Sequence, residues 1–316
     1  MQPGLHGRVF YFLPCLSDRE SAVNLVLRYH KIFLVILILI WGMGYPVMKV
    51  GLAYCPPLIF AGLRAMLGGL VLAMLALRSG DALNFRDNWH AMLASLIFNV
   101  LLFFGSSAIA IKFLPSGIAS VLLYAQPIMV GVLAHFLLNE ILTQRKFLGL
   151  LVGFLGVAII SYKGLTGDLS LYGIGMGLLS ALGWALGTVF IKRKNPRSIY
   201  WFISLPFLVG GLGLCLIGLI LGEHPSEIIW NMPFLITLFW GGVIGLATSW
   251  VIWFNLVKVG DASTLSANTF LVPVVSMAGG AVLLRESVPA SLFVGGALVI
   301  YSIYLVNRPA PQKQNP

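Results

Sequence analysis

The chain is short of charge, and of acid above all. Its 316 residues include 20 Lys and Arg but only 10 Asp and Glu, so charged residues make up 9% of the chain and hydrophobic ones 59%. A water-soluble globule of this length needs far more polar surface than that, so the solvent is lipid. All ten acids fall in tails, loops or helix ends. That placement leaves no carboxylate within a span for a buried proton relay, and scattered acids speak against the paired acids of a membrane enzyme. The three cysteines, Cys15, Cys55 and Cys215, are far apart and form no metal-spaced pair, and the five histidines stand singly. Neither a disulfide framework nor a metal site is expected. No phosphate-binding loop of the Walker type is present, so no nucleotide cofactor is expected and no catalytic residue is assigned. The net charge of +10 invites a nucleic-acid partner, but the basic residues sit in short clusters between apolar runs rather than along one face.

What the chain does have is long apolar runs. Ten segments of spanning length follow one another at about 32–54, 57–77, 90–111, 115–138, 146–162, 171–191, 199–221, 233–256, 262–284 and 289–306. Loops carrying Pro, Gly, Asn or charge separate them. The expected fold is an all-α integral membrane protein with ten transmembrane helices. Residues 1–30 read as a cytosolic tail, partly disordered or interfacial, because the apolar patch Val9 to Leu16 is too short to span and is broken by Pro14. With the amino terminus inside, fifteen basic residues fall on the inner side and four on the outer, which places both termini in the cytosol.

The first span contains WGMGYPVMK, Trp41 to Lys49, and the sixth contains WALGTVFIK, Trp184 to Lys192, at an offset of 143 residues. A second set repeats at an offset of 146: Lys112 with Lys258, Pro127 with Pro273, Glu140 with Glu286, and Gly149 with Gly295. Matches of Trp, Pro, Lys and Glu in one register are not the chance similarity of apolar segments. Five spans per half is an odd number, so the two five-helix halves are inverted relative to one another. Inverted repeats suit a protein with two interconverting states and a site near the midplane.

These residues carry a family resemblance. WGxxxxxxK in the first span, Leu63 and Arg64 in the second, Pro127, Asn139 and Glu140 at the end of the fourth, and Gly149 and Gly153 after it resemble the EamA family of the drug/metabolite transporter superfamily. The resemblance implies one repeat over 31–163, a second over 168–306, and a cytosolic carboxyl tail at 307–316. It also implies alternating access through a central cavity built by the first four helices of each repeat, with the fifth and tenth peripheral. The second repeat departs from the pattern at Phe207, which stands where the first has Arg64.

The candidate substrate-binding residues are Trp41, Tyr45, Arg64, Asn99, Tyr124, Gln126, Trp184, Thr188, Trp250 and Asn268. Arg64 lies about 10 Å from the outer end of its span at the helical rise. Left in lipid it would be costly, so it faces protein or water. Two roles are open to it: attraction of a substrate carboxylate or phosphate, or a structural one, snorkelling or paired with Glu286. Trp41 with Tyr45, and Trp184 with Thr188, are spaced i, i+4 and share a helix face, where they either line a cavity or pack between helices. The same choice holds for Asn99, Tyr124, Gln126, Trp250 and Asn268. Pro46, Pro127, Pro206 and Pro273 are expected to kink their helices. Glu140 is expected to be an ion-pair or capping group.

The expected function is export of a small organic metabolite, an amino acid or related compound, across a bacterial plasma membrane. The partners are that bilayer and the solute. The first span lacks the acid that binds cations in the short multidrug members of the superfamily, which argues against a cationic-drug pump. An exchanger of sugar phosphates or nucleotide sugars is the alternative within the superfamily. An integral membrane enzyme or a sensor is the alternative outside it.

Overall fold

The computed structural model describes residues 19–83, 85–114, 121–160, 170–194, 198–284 and 290–308. Eight helices there are long and apolar enough to cross a membrane: α1 Arg28–Leu52, α2 Pro57–Arg78, α3 Asn88–Ala110, α4 Val121–Leu138, α6 Leu171–Lys194, α7 Ile199–Ile220, α8 Met232–Val259 and α9 Ala262–Leu283. Two helices of 17 residues complete the set, α5 Gln144–Ile160 and α10 Ser291–Asn307. The chain is an all-α membrane protein of ten helices among the described residues. Because the crossings are even in number, both ends of the bundle's chain emerge on one side, called here the terminal face, opposite a distal face.

Helix continues upstream of α1 to Arg19, inside the stretch expected to be a tail, and non-helical angles at Tyr29 separate the two parts. No Gly or Pro lies between residues 15 and 41 to stop it. Residues 1–18, the boundary expected at 163–168, Glu286 and the tail beyond residue 308 lie outside the described residues.

Helix pairing obeys an exchange rule between the halves. α2 packs along α7, and α5 along α10. α1 packs on α9 and α8, while α6 packs on α4 and α3. Exchanging each helix for the one five places away turns every one of these pairs into another of the set. Bare glycine backbones make the closest approaches. A Cβ on Gly211 would sit 2.8 Å from the Gly62 carbonyl oxygen, and one on Gly156 would sit 2.8 Å from that of Gly295. Small residues at such crossings let helices gain van der Waals contact where lipid offers no hydrophobic drive.

The same rule appears in the irregular backbone. α3 is a π-helix over Leu96–Gly105, and α8 is one over Trp240–Thr248. α4 turns at 124–125, just before Pro127, and α9 at 269–270, before Pro273. Proline cannot donate to the carbonyl four residues back and its ring crowds that carbonyl, so the helix tightens there. At these turns Ala125 N–H reaches the Leu122 carbonyl at 3.2 Å, and Phe270 N–H reaches that of Ala267 at 3.2 Å. Pro46 and Pro206 lie within helices that continue past them.

Candidate functional site

The four irregular segments converge on a cavity of about 140 Å³ in the distal half of the bundle. α1 contributes Trp41, Gly44, Tyr45 and Met48; α2 contributes Arg64; α3 contributes Phe103, Phe104 and Ser107. Tyr124 and Gln126 come from the turn in α4, Trp184 from α6, Trp240, Gly241 and Trp250 from α8, and Thr269 from the turn in α9. Both halves therefore build it. A cavity of about 150 Å³ lined by apolar groups holds one benzene ring, so the volume suits a solute of amino-acid size.

Its floor is aromatic. Trp41 and Trp184, the repeated tryptophans, meet edge to face with ring centroids 5.1 Å apart, and Trp250 lies 5.3 Å from Trp184. Edge-to-face geometry sets the positive rim of one ring on the negative face of the next. Trp41 Nε1 donates to Ser249 Oγ at 2.9 Å. Among the described residues the indole N–H of Trp184 has no acceptor.

The walls carry the polar groups. Gln126 Nε2 donates to Thr269 Oγ1 at 2.9 Å, joining the α4 turn to the α9 turn, while Gln126 Oε1 is buried and has no partner among the described residues. Arg64 is only 7% exposed. Its Nη1 donates to Met48 Sδ at 3.0 Å, and its guanidinium carbon stands 5.0 Å from the Phe60 ring centre. Among the described residues no carboxylate pairs with it, and its Nε is buried without a partner. Gly241 makes its berth, since a Cβ there would collide with Arg64 Cδ.

Seven of the ten candidate residues line this space: Trp41, Tyr45, Arg64, Tyr124, Gln126, Trp184 and Trp250. Three do not. Asn99 Nδ2 donates to Ser95 Oγ at 3.1 Å, and the amide fills the room left by Gly187. Thr188 is buried toward the terminal face at 2% exposure. Asn268 Nδ2 donates to the Thr264 carbonyl at 2.7 Å and its Oδ1 accepts from Asn307 at 3.3 Å. Polar residues in spans bond to backbone or neighbouring helices as readily as they line cavities, and spacing does not separate the two. Sequence reasoning passed over Met48, Phe103, Phe104, Ser107, Trp240 and Thr269. Trp240 alone carried a signal, as a further tryptophan inside a span. Phe103 and Phe104 read like any lipid-facing pair.

Below the floor, polar contacts tie the two halves together. Glu140, just past α4, accepts from Lys192 Nζ at 2.6 Å, from Ala262 N–H at 2.8 Å, and from Ser263 N–H and Oγ at 3.2 and 2.9 Å. Lys192 also donates to the Gly260 carbonyl at 2.6 Å, and Lys146 pairs with Asp261 at 3.1 Å. Asn139, in the left-handed region at φ 56°, turns the chain so that Glu140 points back at the start of α9. Burial works to raise the Glu140 pKa, but the Lys192 ammonium and the Ala262 and Ser263 amides outweigh it, and the net shift is downward. The carboxylate is therefore ionised throughout the neutral range.

Ten helices, eight of them long and apolar enough to cross a membrane, paired across two halves around a cavity lined by aromatic and a few polar groups, are the frame of a membrane transport protein. The EamA-like transporter family matches residues 30–162 and again 171–308, and the chain belongs to that family. It is 37% identical over 277 residues to the uncharacterized transporter YvbV of Bacillus subtilis (strain 168), across 87% of this chain and 90% of that one. It is 28% identical over 284 residues to a probable amino-acid metabolite efflux pump of Salmonella typhimurium (strain LT2), across 85% of this chain and 92% of that one. A crystal structure of a protein 21% identical in sequence matches with a TM-score of 0.74 over 87% of this chain and 96% of that one, and so shares the fold.

Proposed function

We propose that this protein is a carrier that exports a small organic metabolite, of the amino-acid class or close to it, by alternating access. The observation that carries the reading is the one-sided cavity: open space on the distal side of Trp41, Trp184 and Trp250, and the Glu140 and Lys192 closure on the terminal side. In a bundle whose two halves exchange helix for helix, the reverse arrangement is available at similar cost. The sequence count of fifteen basic residues assigned to the inner side against four to the outer supports a cytosolic terminal face. The volume of about 140 Å³ suits a metabolite of a few heavy atoms rather than a nucleotide sugar. The names of the relatives, transporter and probable amino-acid metabolite efflux pump, support the same reading.

The test is metabolite flux in proteoliposomes, with and without a pH gradient, for the intact protein, Trp41→Ala and Arg64→Ala. Flux that falls in both variants is the expected result. No flux of any amino acid or small metabolite with the intact protein would sink the carrier reading. Full flux in both variants would leave the carrier standing and remove this cavity as its path.

A further inference from the structure

We infer that the cavity selects a monoanionic carboxylate with an apolar body over the zwitterionic amino acid of the same shape. The inference rests on the carrier reading and specifies its solute. It begins from hydrogen bonds that are not made. Of the buried side-chain polar atoms without a partner among the described residues, four belong to cavity walls: Arg64 Nε, Trp184 Nε1, Trp240 Nε1 and Gln126 Oε1. Buried polar groups are nearly always partnered, so four exceptions on residues that line one cavity are the groups that a solute entering it would satisfy after a small side-chain adjustment.

Three of the four are donors, and one of these is cationic. A carboxylate offers two oxygens and one negative charge, which answers both needs at once. The thioether of Met48 and the face of Phe60 hold the guanidinium in place, and among the described residues its charge has no counter-ion. A buried charge without a counter-ion is costly, and a ligand that supplies the counter-ion recovers that cost on binding.

Charge balance then fixes the class. The lining holds one cation and no acid: its other members are aromatic, aliphatic, glycine, hydroxyl or amide residues. A phosphate dianion would leave one negative charge over. A zwitterion would bring an ammonium to neutral groups only, Gln126 Oε1, the hydroxyls of Tyr45, Ser107, Tyr124 and Thr269, and the aromatic ring faces, with no carboxylate in the lining to offset its dehydration. A 2-oxo acid or N-acylated amino acid brings the carboxylate alone. The indoles of Trp41, Trp184 and Trp250, with Phe103 and Phe104, supply an apolar floor for its body.

The experiment compares three solutes of one skeleton and three charges: 4-methyl-2-oxopentanoate, leucine and leucinamide. Binding to the purified protein is read by tryptophan fluorescence, since the floor is built of tryptophans, and flux is read in proteoliposomes. The oxo acid is expected to bind about tenfold or more tighter than leucine, the scale of a charge-assisted hydrogen bond gained without a charge left over. In Arg64→Met, which keeps the bulk, the oxo acid loses that advantage while leucinamide binds no worse. In Arg64→Lys part of the advantage returns. Gly241→Ala, which displaces Arg64 without touching its charge, lowers oxo-acid affinity as well. Leucine binding as tightly as the oxo acid in the intact protein, with flux of either, overturns the inference and leaves the carrier reading intact. An unchanged oxo-acid preference in Arg64→Met also overturns it. Absence of binding and flux for all three overturns the inference, and the wider metabolite panel then decides the carrier reading separately.

Discussion

Replacing Glu140 by Gln should unlatch the terminal face. Glu140 accepts four hydrogen bonds from three residues: Lys192 at the end of α6, and Ala262 and Ser263 at the start of α9. Glutamine keeps the shape and one acceptor oxygen but removes the charge. Its amide nitrogen also faces donors where an oxygen stood. Breaking a fully buried ion pair costs about 3–5 kcal/mol, and a surface pair is worth about 1 kcal/mol or less. The Glu140 side chain is 8% exposed and that of Lys192 20%, and Lys192 keeps the Gly260 carbonyl at 2.6 Å. The loss therefore falls between the limits, at about 2 kcal/mol, or roughly thirtyfold in the ratio of closed to open molecules.

Thr188 reports the opening. It lies one helical turn past Trp184 toward the terminal face and is 2% exposed in this closed arrangement. In a protein with Cys15, Cys55 and Cys215 changed to Ser, a Thr188→Cys thiol should react with a polar maleimide only in molecules open at that face. Adding Glu140→Gln should raise the labelling rate by about thirtyfold when opening and closing are fast relative to labelling. An unchanged rate, in a variant whose melting temperature shows it folded, would refute the view that these contacts close a path. The pH dependence follows from the lowered pKa of Glu140. The stabilisation it gives is present above the pKa of an unfolded glutamate and is lost as pH falls through the lower folded value. The ratio of Thr188→Cys labelling in the Glu140→Gln protein to that in its Glu140 parent, which cancels the shared pH dependence of the thiolate, should thus be flat from neutral pH to about pH 5 and fall toward one only below the ordinary carboxylate range.

Other consequences are independent of that latch. Gly156→Val on α5 would drive a side chain against the Gly295 carbonyl of α10, already 2.8 Å from an added Cβ, and should lower stability by about 1–3 kcal/mol in a thermal melt. Folded molecules should retain solute binding, because neither helix lines the cavity. Glu223→Gln should destabilise the start of α2 by about 1.5–3 kcal/mol, because Glu223 accepts the Leu58 and Ile59 amides at 3.0 to 3.1 Å. Cys55, in the connection between α1 and α2, has its thiol pushed up to about 12 by burial and by the nearby Glu223 carboxylate. It should resist maleimide at neutral pH, where almost none of it is thiolate, and a mass spectrum after timed labelling checks this.

The ten helices were legible because lipid demands a long apolar run at each crossing, and each observed helix lies within a few residues of its hydropathy segment. The inverted arrangement was legible in Trp41 and Trp184 because tryptophan matches are rare enough to mean something. The cavity lining was legible only where a residue was conspicuous in an apolar run, as with Arg64, Gln126 and Trp250. Asn99 and Asn268 were equally conspicuous, yet each spends its amide on bonds within the bundle. Phe103 and Phe104 lie in the π-helical stretch of α3, where the wider turn re-aims side chains, and nothing in LIFNVLLFFG announces that change of pitch.

The two halves are similar in fold but not in chemistry, and the difference lies at matched positions. Gly44 and Gly187 are 143 residues apart and correspond within the repeated motif. A Cβ on Gly44 would meet nothing within 4 Å, since it opens on the cavity, whereas at Gly187 the Asn99 side chain fills the space. Asn99 therefore stands where the reverse cavity would form, and opening the terminal face requires that amide to withdraw. The helix bounds place Pro206 or Phe207 opposite Arg64, and neither carries charge. A reverse cavity lined by Thr188 and these two residues would lack the cation of the distal one. The anionic head then has a favourable berth on one side of the cycle only. Affinity for a carboxylate should differ between the two open states by the worth of the Arg64 contact, about 1.5–3 kcal/mol or one to two decades. Binding the oxo acid should consequently bias the bundle toward the distal-open state and protect Thr188→Cys from labelling. Leucinamide, with no carboxylate to offer Arg64, should leave the labelling rate unchanged. Equal protection by both solutes would show that the two faces bind alike and that the arginine plays no part in the difference between them.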